Sequence, residues 1–165
     1  MSRGFVKEDD LELAGTDIPE RPISTLPNYV TPSGLAQLQS QAEALAQEYQ
    51  QLAARKEDPV ISQRLAVAER EARYIEARLE SAILVDTTQQ DKETVLFGAQ
   101  VKVEDEEGNH HTFIIVGEDE ANIAENKVSY VSPIAKAIIG KKVGDSAIWQ
   151  RPVGNMQLEI LEIQY

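Results

Sequence analysis

The sequence predicts an α+β protein: an N-terminal antiparallel coiled-coil helical hairpin followed by a small antiparallel β-sheet domain with one short helix. Three observations predict it. Residues 31–86 carry two heptad-spaced apolar runs on either side of Lys56-Glu57-Asp58-Pro59. Residues 87–94 are polar and aperiodic. From Val95 onward apolar and polar residues alternate in short stretches separated by turn residues.

Residues 1–30 hold Pro19, Pro22, Pro27 and the acidic cluster Glu8-Asp9-Asp10, with little apolar material. This composition predicts a flexible acidic tail, with Phe5-Val6 as a candidate partner-binding segment. Thr31 is suited to cap the first helix and Pro32 to occupy its first position. Leu35, Leu38, Ala42, Leu45, Tyr49 and Leu52 then recur at spacings of three and four. Asp58 and Pro59 repeat the cap-and-proline signal. Ile61, Leu65, Ala68, Ala72, Ile75, Leu79 and Ala82 repeat the seam. A connection this short sets the two arms antiparallel. At 1.5 Å per residue each arm of roughly 24 residues would reach about 36 Å, with Lys56, Glu57 and Asp58 at its tip.

Residues 87–94 are a linker, and 95–165 form the second domain. Val101 and Val103 alternate with Lys102 and Glu104 in a first strand, and 105–109 turn. Thr112 to Val116 returns as a more apolar strand, and Lys127 to Val131 follows. Ser132-Pro133 opens a short helix from Ile134 to Ile139, closed by Gly140. Strands Ser146 to Gln150 and Met156 to Tyr165 complete the sheet. The last strand breaks its alternation between Ile160 and Ile163.

Composition narrows the function classes. The net charge of -12 is spread over the whole chain, which disfavours nucleic-acid binding by the protein alone. The absence of cysteine excludes disulfides and thiolate metal sites. No apolar run approaches the ~20 residues that span a bilayer, and no signal segment is evident. The expectation is a cytoplasmic monomer without membrane association. His110 and His111 are adjacent on a predicted strand, so they point to opposite faces and cannot readily share a metal. No nucleophile triad, phosphate loop or zinc spacing is present. Glu57 and Asp58 remain as two hard oxygen ligands at the end of a rod, able to complete a magnesium shell inside another molecule. Asp58 also has the plainer role of a cap.

The order of parts resembles the Gre family of bacterial transcription elongation factors. The residues that carry the resemblance are Thr31-Pro32 with Gly34, Ile83 to Asp86, Val95-Leu96-Phe97-Gly98-Ala99, and Ile115 to Ala121. Ser132 to Gly140 and Val143-Gly144-Asp145 continue it. The resemblance covers about residues 28–165. It implies that the second domain is FKBP-like without isomerase activity and docks on RNA polymerase through Ser132, Pro133, Ile134, Ala135 and Lys136; the plainer reading of these residues is that Ser132-Pro133 caps a helix and Ile134 belongs to the core. It implies that the hairpin enters the polymerase secondary channel. Nascent RNA and DNA would then be met only within the elongation complex, and any magnesium would be shared with the polymerase active site. The chain departs from the cleavage factors of that family. The tip motif Gly-Asp-x-x-Glu-Asn-Ala-Asp/Glu-Tyr is absent, and each arm is shorter by roughly one heptad, about 10 Å of reach. Regulation by occupancy is therefore expected, with stimulated transcript cleavage through Glu57 and Asp58 as the alternative. Any cleavage would be catalysed by the polymerase, so the chain itself is not expected to be an enzyme. A prolyl isomerase or chaperone of FKBP type would need an aromatic-lined pocket. Here Phe97, Phe113, Tyr130, Trp149 and Tyr165 are scattered along the sequence.

Overall fold

The computed structural model describes residues 18–165, which are α+β. The Phe5-Val6 segment and the acidic cluster beside it lie outside the described residues. The chain divides into two compact units, each built from two stretches of sequence. The described part of the first comprises 18–27 and 36–82. The second comprises 28–35 and 83–165.

Helices α1 (Pro32–Ala53) and α2 (Pro59–Ser81) are joined by the turn 54–58. Asp58 ends that turn as the N-cap of α2, its Oδ1 accepting the Val60 N–H at 3.0 Å. At the predicted seam Leu38, Ala68 and Ile75 are buried, and Leu45, Leu52, Ile61, Leu65 and Leu79 are half-buried. Tyr49 and Ala72 are exposed. The heptads missed a second buried side of α2, formed by Val67, Arg70 and Arg78. Residues at spacings of three and four from these are met by residues 18–27. Arg21 donates to Glu71 at 2.7 Å and lies 3.7 Å from the Tyr74 ring centroid. Glu20 is held by Arg73. Residues 18–27 are thus docked on α2, which differs from the free tail that composition predicts. Two salt bridges and a guanidinium stacked on a ring supply the ordering that apolar content does not.

In the second unit, β1 (Tyr29–Val30) pairs in parallel with β2 (Ile83–Leu84). Strands β3 (Gln100–Asp105), β4 (His110–Val116), β5 (Lys127–Ser129), β6 (Ser146–Trp149) and β7 (Met156–Gln164) form a sheet in the order β5-β4-β3-β7-β6. The sheet is mixed, not antiparallel throughout as expected, because β4 and β5 run parallel. The crossover 117–126, with a 3-10 turn at Ile123–Glu125, carries the chain back before β5 begins. The broken alternation in the last strand is a β-bulge. Lys102 faces Glu162 whereas Val103 faces Ile160, leaving Leu161 as the extra residue.

Val101, Val103, Ile115, Leu158 and Ile160 share the core with Ile134, Ala135 and Ile138 of the short helix α3 (Pro133–Ile138). Burying each such valine, leucine or isoleucine side chain contributes roughly 1.5–3 kcal/mol. Four of the five aromatic residues that are scattered along the sequence, Phe97, Phe113, Tyr130 and Trp149, fall into two groups. Tyr29, Phe97 and Tyr130 have centroids 5.3–5.9 Å apart. Phe113 and Trp149 lie 5.6 Å apart, beside His111. The interval read as a linker is also structured. It holds a 3-10 turn, Thr87–Gln89, and Gln90 donates to the Phe97 carbonyl at 2.7 Å. The phenol of Tyr165 donates to the Thr94 carbonyl at 2.6 Å and accepts the Leu96 N–H at 2.8 Å. Burial raises the Tyr165 phenol above its ordinary range, so it stays protonated and keeps its donor.

Asp105 closes the β3–β4 hairpin. One oxygen accepts the N–H groups of Glu107 and Asn109, and the other lies 2.8 Å from His111. His110 instead approaches Glu104, a residue of the opposite strand face. The hydrogen bond with His111, followed by the two N–H groups, lowers the Asp105 carboxyl below its usual range. The unfolded chain therefore binds a proton more readily, and stability from this group is present above the ordinary carboxylate pKa. It is lost as pH falls through the depressed folded value. Asp105→Asn keeps an acceptor for the turn but loses this linkage. Its unfolding midpoint is expected to fall less than that of the parent between about pH 5 and 3. Parallel slopes in a thermal-melt series over that window would refute the assignment.

Candidate functional site

Three sets of residues carry the features that sequence reasoning singled out. The first is the turn between α1 and α2. Lys56, Glu57 and Asp58 are all exposed there. The turn is tight because the N–H of Arg55 reaches the Leu52 carbonyl at 3.0 Å and that of Asp58 reaches the Arg55 carbonyl at 3.1 Å. Asp58 spends Oδ1 on its cap, which leaves its Oδ2 and both Glu57 oxygens as acceptors facing outward. Pro59 at the first position of α2 costs no hydrogen bond there. Among the described residues no group of three or more His, Asp or Glu is placed to hold a metal ion.

The second set surrounds α3. Ser132 is its N-cap: Oγ accepts the Ala135 N–H at 3.4 Å and donates to the Ser129 carbonyl at 2.7 Å. Of the five residues expected to dock on a partner, Ile134 is 4% exposed and Ala135 0%. Both belong to the core, because a helix of six residues must bury one stripe to be held at all. Of the five, Pro133 and Lys136 are exposed and Ser132 is half-buried. Pro133 and Lys136 line a surface groove of about 350 Å³ with Val131, Ala137, Ile148 and Gln150. Sequence reasoning missed Ile148, which is 50% exposed. Its signal was available: alternation in Ser146–Trp149 turns Ala147 and Trp149 to the core face and leaves an isoleucine outward.

The third set roots the first turn of α1. Thr31 caps α1 as read from sequence, with Oγ1 accepting the Gly34 N–H at 2.9 Å. The same hydroxyl donates to Glu120 Oε1 at 2.6 Å, a contact sequence reasoning did not foresee. Glu120 is buried, and its other oxygen lies 3.7 Å from Lys127 Nζ. Gly34 stands where a Cβ would come 2.7 Å from Glu120 Oε1. A glycine near the helix start, with an acidic residue following Gly117-Glu118-Asp119, carried no local signal of this pairing. The partners are 89 positions apart.

With this geometry in hand, the comparisons with known proteins are specific. The family model "Transcription elongation factor, GreA/GreB, C-term" matches residues 89–165. The transcription elongation factor GreB of Neisseria meningitidis serogroup B is 32% identical over 161 residues, covering 84% of this chain and 94% of that protein. The transcription elongation factor GreA of Alkalilimnicola ehrlichii is 39% identical over 127 residues, covering 76% of this chain and 80% of its own length. A solved structure of GreA factor homolog 1 (Gfh1) of Thermus thermophilus aligns with 85% of this chain and all of its own, at 22% identity and a TM-score of 0.41.

Proposed function

Because this chain belongs to the GreA/GreB family of transcription elongation factors, we propose that it binds bacterial RNA polymerase and acts as a coiled-coil secondary-channel factor. In this reading α1 and α2 form an antiparallel coiled-coil hairpin. The second unit is an FKBP-like domain that docks through the groove around Pro133, Lys136 and Ile148. The observation that carries the reading is the presentation of Lys56, Glu57 and Asp58 on a short exposed turn between helices of 22 and 23 residues.

The protein regulates by occupying the channel. The family tip motif is absent, and the acceptor oxygens that remain are those of Glu57 and the free oxygen of Asp58. Two carboxylates can add oxygen ligands to a polymerase-held magnesium only at about 2 Å. Shorter arms work against that approach. The chemistry of any RNA hydrolysis would remain with the polymerase.

A halted, backtracked elongation complex tests this. Adding the protein is expected to leave RNA length unchanged while it binds and alters the rate of restart. The informative variant is Glu57→Gln with Asp58→Asn, because Asn caps a helix about as well as Asp and the fold is spared. RNA shortening by the parent protein that disappears in this variant would replace regulation by occupancy with assisted cleavage. Isomerase action of the FKBP type has less support. Neither ring cluster lines the groove beside α3.

A further inference from the structure

We propose that the first 17 residues of this chain cover an apolar groove on the two-helix unit, with Phe5, Val6, Leu11, Leu13 and Ala14 as the side chains that fill it. The groove has a volume of about 660 Å³ and is lined by Ala42, Leu45 and Tyr49 of α1 and Ala72, Arg73 and Leu79 of α2, among others. Five of those six are apolar or aromatic, and Tyr49 is 43% exposed. They are seam positions whose apolar area the two helices alone leave in water. Contiguous apolar surface of this kind marks a site that something covers.

The path of the chain identifies the occupant. Arg73, which lines the groove, grips Glu20 with three hydrogen bonds of 3.1, 2.9 and 2.6 Å. That bond lowers the Glu20 carboxyl and raises the Arg73 guanidinium, so both are charged at neutral pH. One residue later Arg21 lies over Tyr74 and bonds Glu71. The polypeptide is therefore pinned at the groove's edge just where the described residues begin. The 17 residues before Ile18 span up to about 56 Å when extended. The groove follows α2 from Glu69 to Leu79, about 15 Å. Reach is ample.

Two further considerations favour this segment over a second copy of the chain. A segment tethered at the rim is present at an effective concentration of about millimolar. Separate copies each carry a net charge of -12 and repel one another. The proposal does not depend on the polymerase reading, since it concerns an intramolecular face.

The absence of native cysteine makes a direct test possible. Ala46 is exposed and lines the groove, and Ala54 is exposed on the turn. Ala46→Cys and, as reference, Ala54→Cys would each be labelled with a maleimide in three backgrounds. These are the full chain, the chain without residues 1–17, and the full chain carrying Leu11→Glu and Leu13→Glu. In the full chain, labelling at position 46 is expected to be about tenfold slower than at 54. Both altered backgrounds are expected to remove that difference. Equal rates at position 46 in all backgrounds would overturn the proposal. Protection that survives deletion and grows with protein concentration would also overturn it, because a second copy would then be the occupant. Should the deletion impair folding, the double glutamate variant decides, since it keeps the full chain length and leaves residues 18–165 unchanged.

Discussion

Replacing Gly117 by alanine is expected to lower the stability of the second unit by about 3 kcal/mol, near the upper end of overpacking costs. A Cβ at Gly117 would lie 2.2 Å from the Tyr29 carbonyl oxygen and 3.4 Å from its carbon. Both are backbone atoms, so no side-chain rotation relieves the clash. Nor can the strand yield freely. The Ile83 N–H reaches the Asn28 carbonyl at 2.8 Å, and the Val85 N–H reaches that of Val30 at 3.0 Å. Pushing β1 away would also open the cluster of Tyr29, Phe97 and Tyr130 and strain the hydrogen bond between Thr31 and Glu120. For a protein of this size the loss corresponds to roughly 6–12 °C in Tm. Trp149 is the only tryptophan and lies in this unit, so its fluorescence reports the transition. Gly108→Ala is the reference: that glycine has φ 84° with open space around it and should cost only about 1 kcal/mol. A Gly117→Ala protein melting within about 2 °C of the parent would show that β1 is not held against this turn.

The second large effect is on binding. Lys136→Glu combined with Ile148→Asp is expected to weaken association with RNA polymerase by about 30-fold or more, the loss typical of removing a hot spot. Both side chains line the groove beside α3, and neither belongs to the core cluster. The fold should therefore survive, with Tm within a few degrees of the parent. The contrast with Ile134 is instructive. Ile134→Ala removes a side chain that is 4% exposed and should cost about 2–5 kcal/mol of stability. Its loss of binding would come from unfolding. Unchanged polymerase affinity of the Lys136→Glu/Ile148→Asp variant, measured by surface-immobilised titration, would move the docking face elsewhere.

The helices were legible because their signals are local. Thr31 and Asp58 cap as read, each followed by proline, and the heptads located both helices. The break in alternation between Ile160 and Ile163 was visible too, and the structure explains it as a bulge with Leu161 as the extra residue. The strands β1 and β2 were not legible. At two residues each they have no periodicity to detect. The parallel pairing of β5 was hidden for a related reason, because alternation fixes which face a residue takes and says nothing of strand direction. The same limit affected the residues expected to dock. Ser132-Pro133 announced a helix, but which of Ile134, Ala135 and Lys136 would be buried depended on where the sheet lies.

By itself the sequence determined the three α-helices with their N-caps, the five strands of the larger sheet, the exposed carboxylate turn and, through its motifs, the family. These depend on neighbours within a few residues, or on word order along the chain. Only the tertiary structure decided that Thr31 shares its hydroxyl with Glu120, that Gly117 lies against Tyr29, and that residues 18–27 dock on α2. It also decided that Ile134 is taken into the core. Each of these is a contact between residues more than 20 positions apart or a choice of buried face. Such contacts are selected by the mutual fit of assembled elements, and no periodicity in one element encodes them.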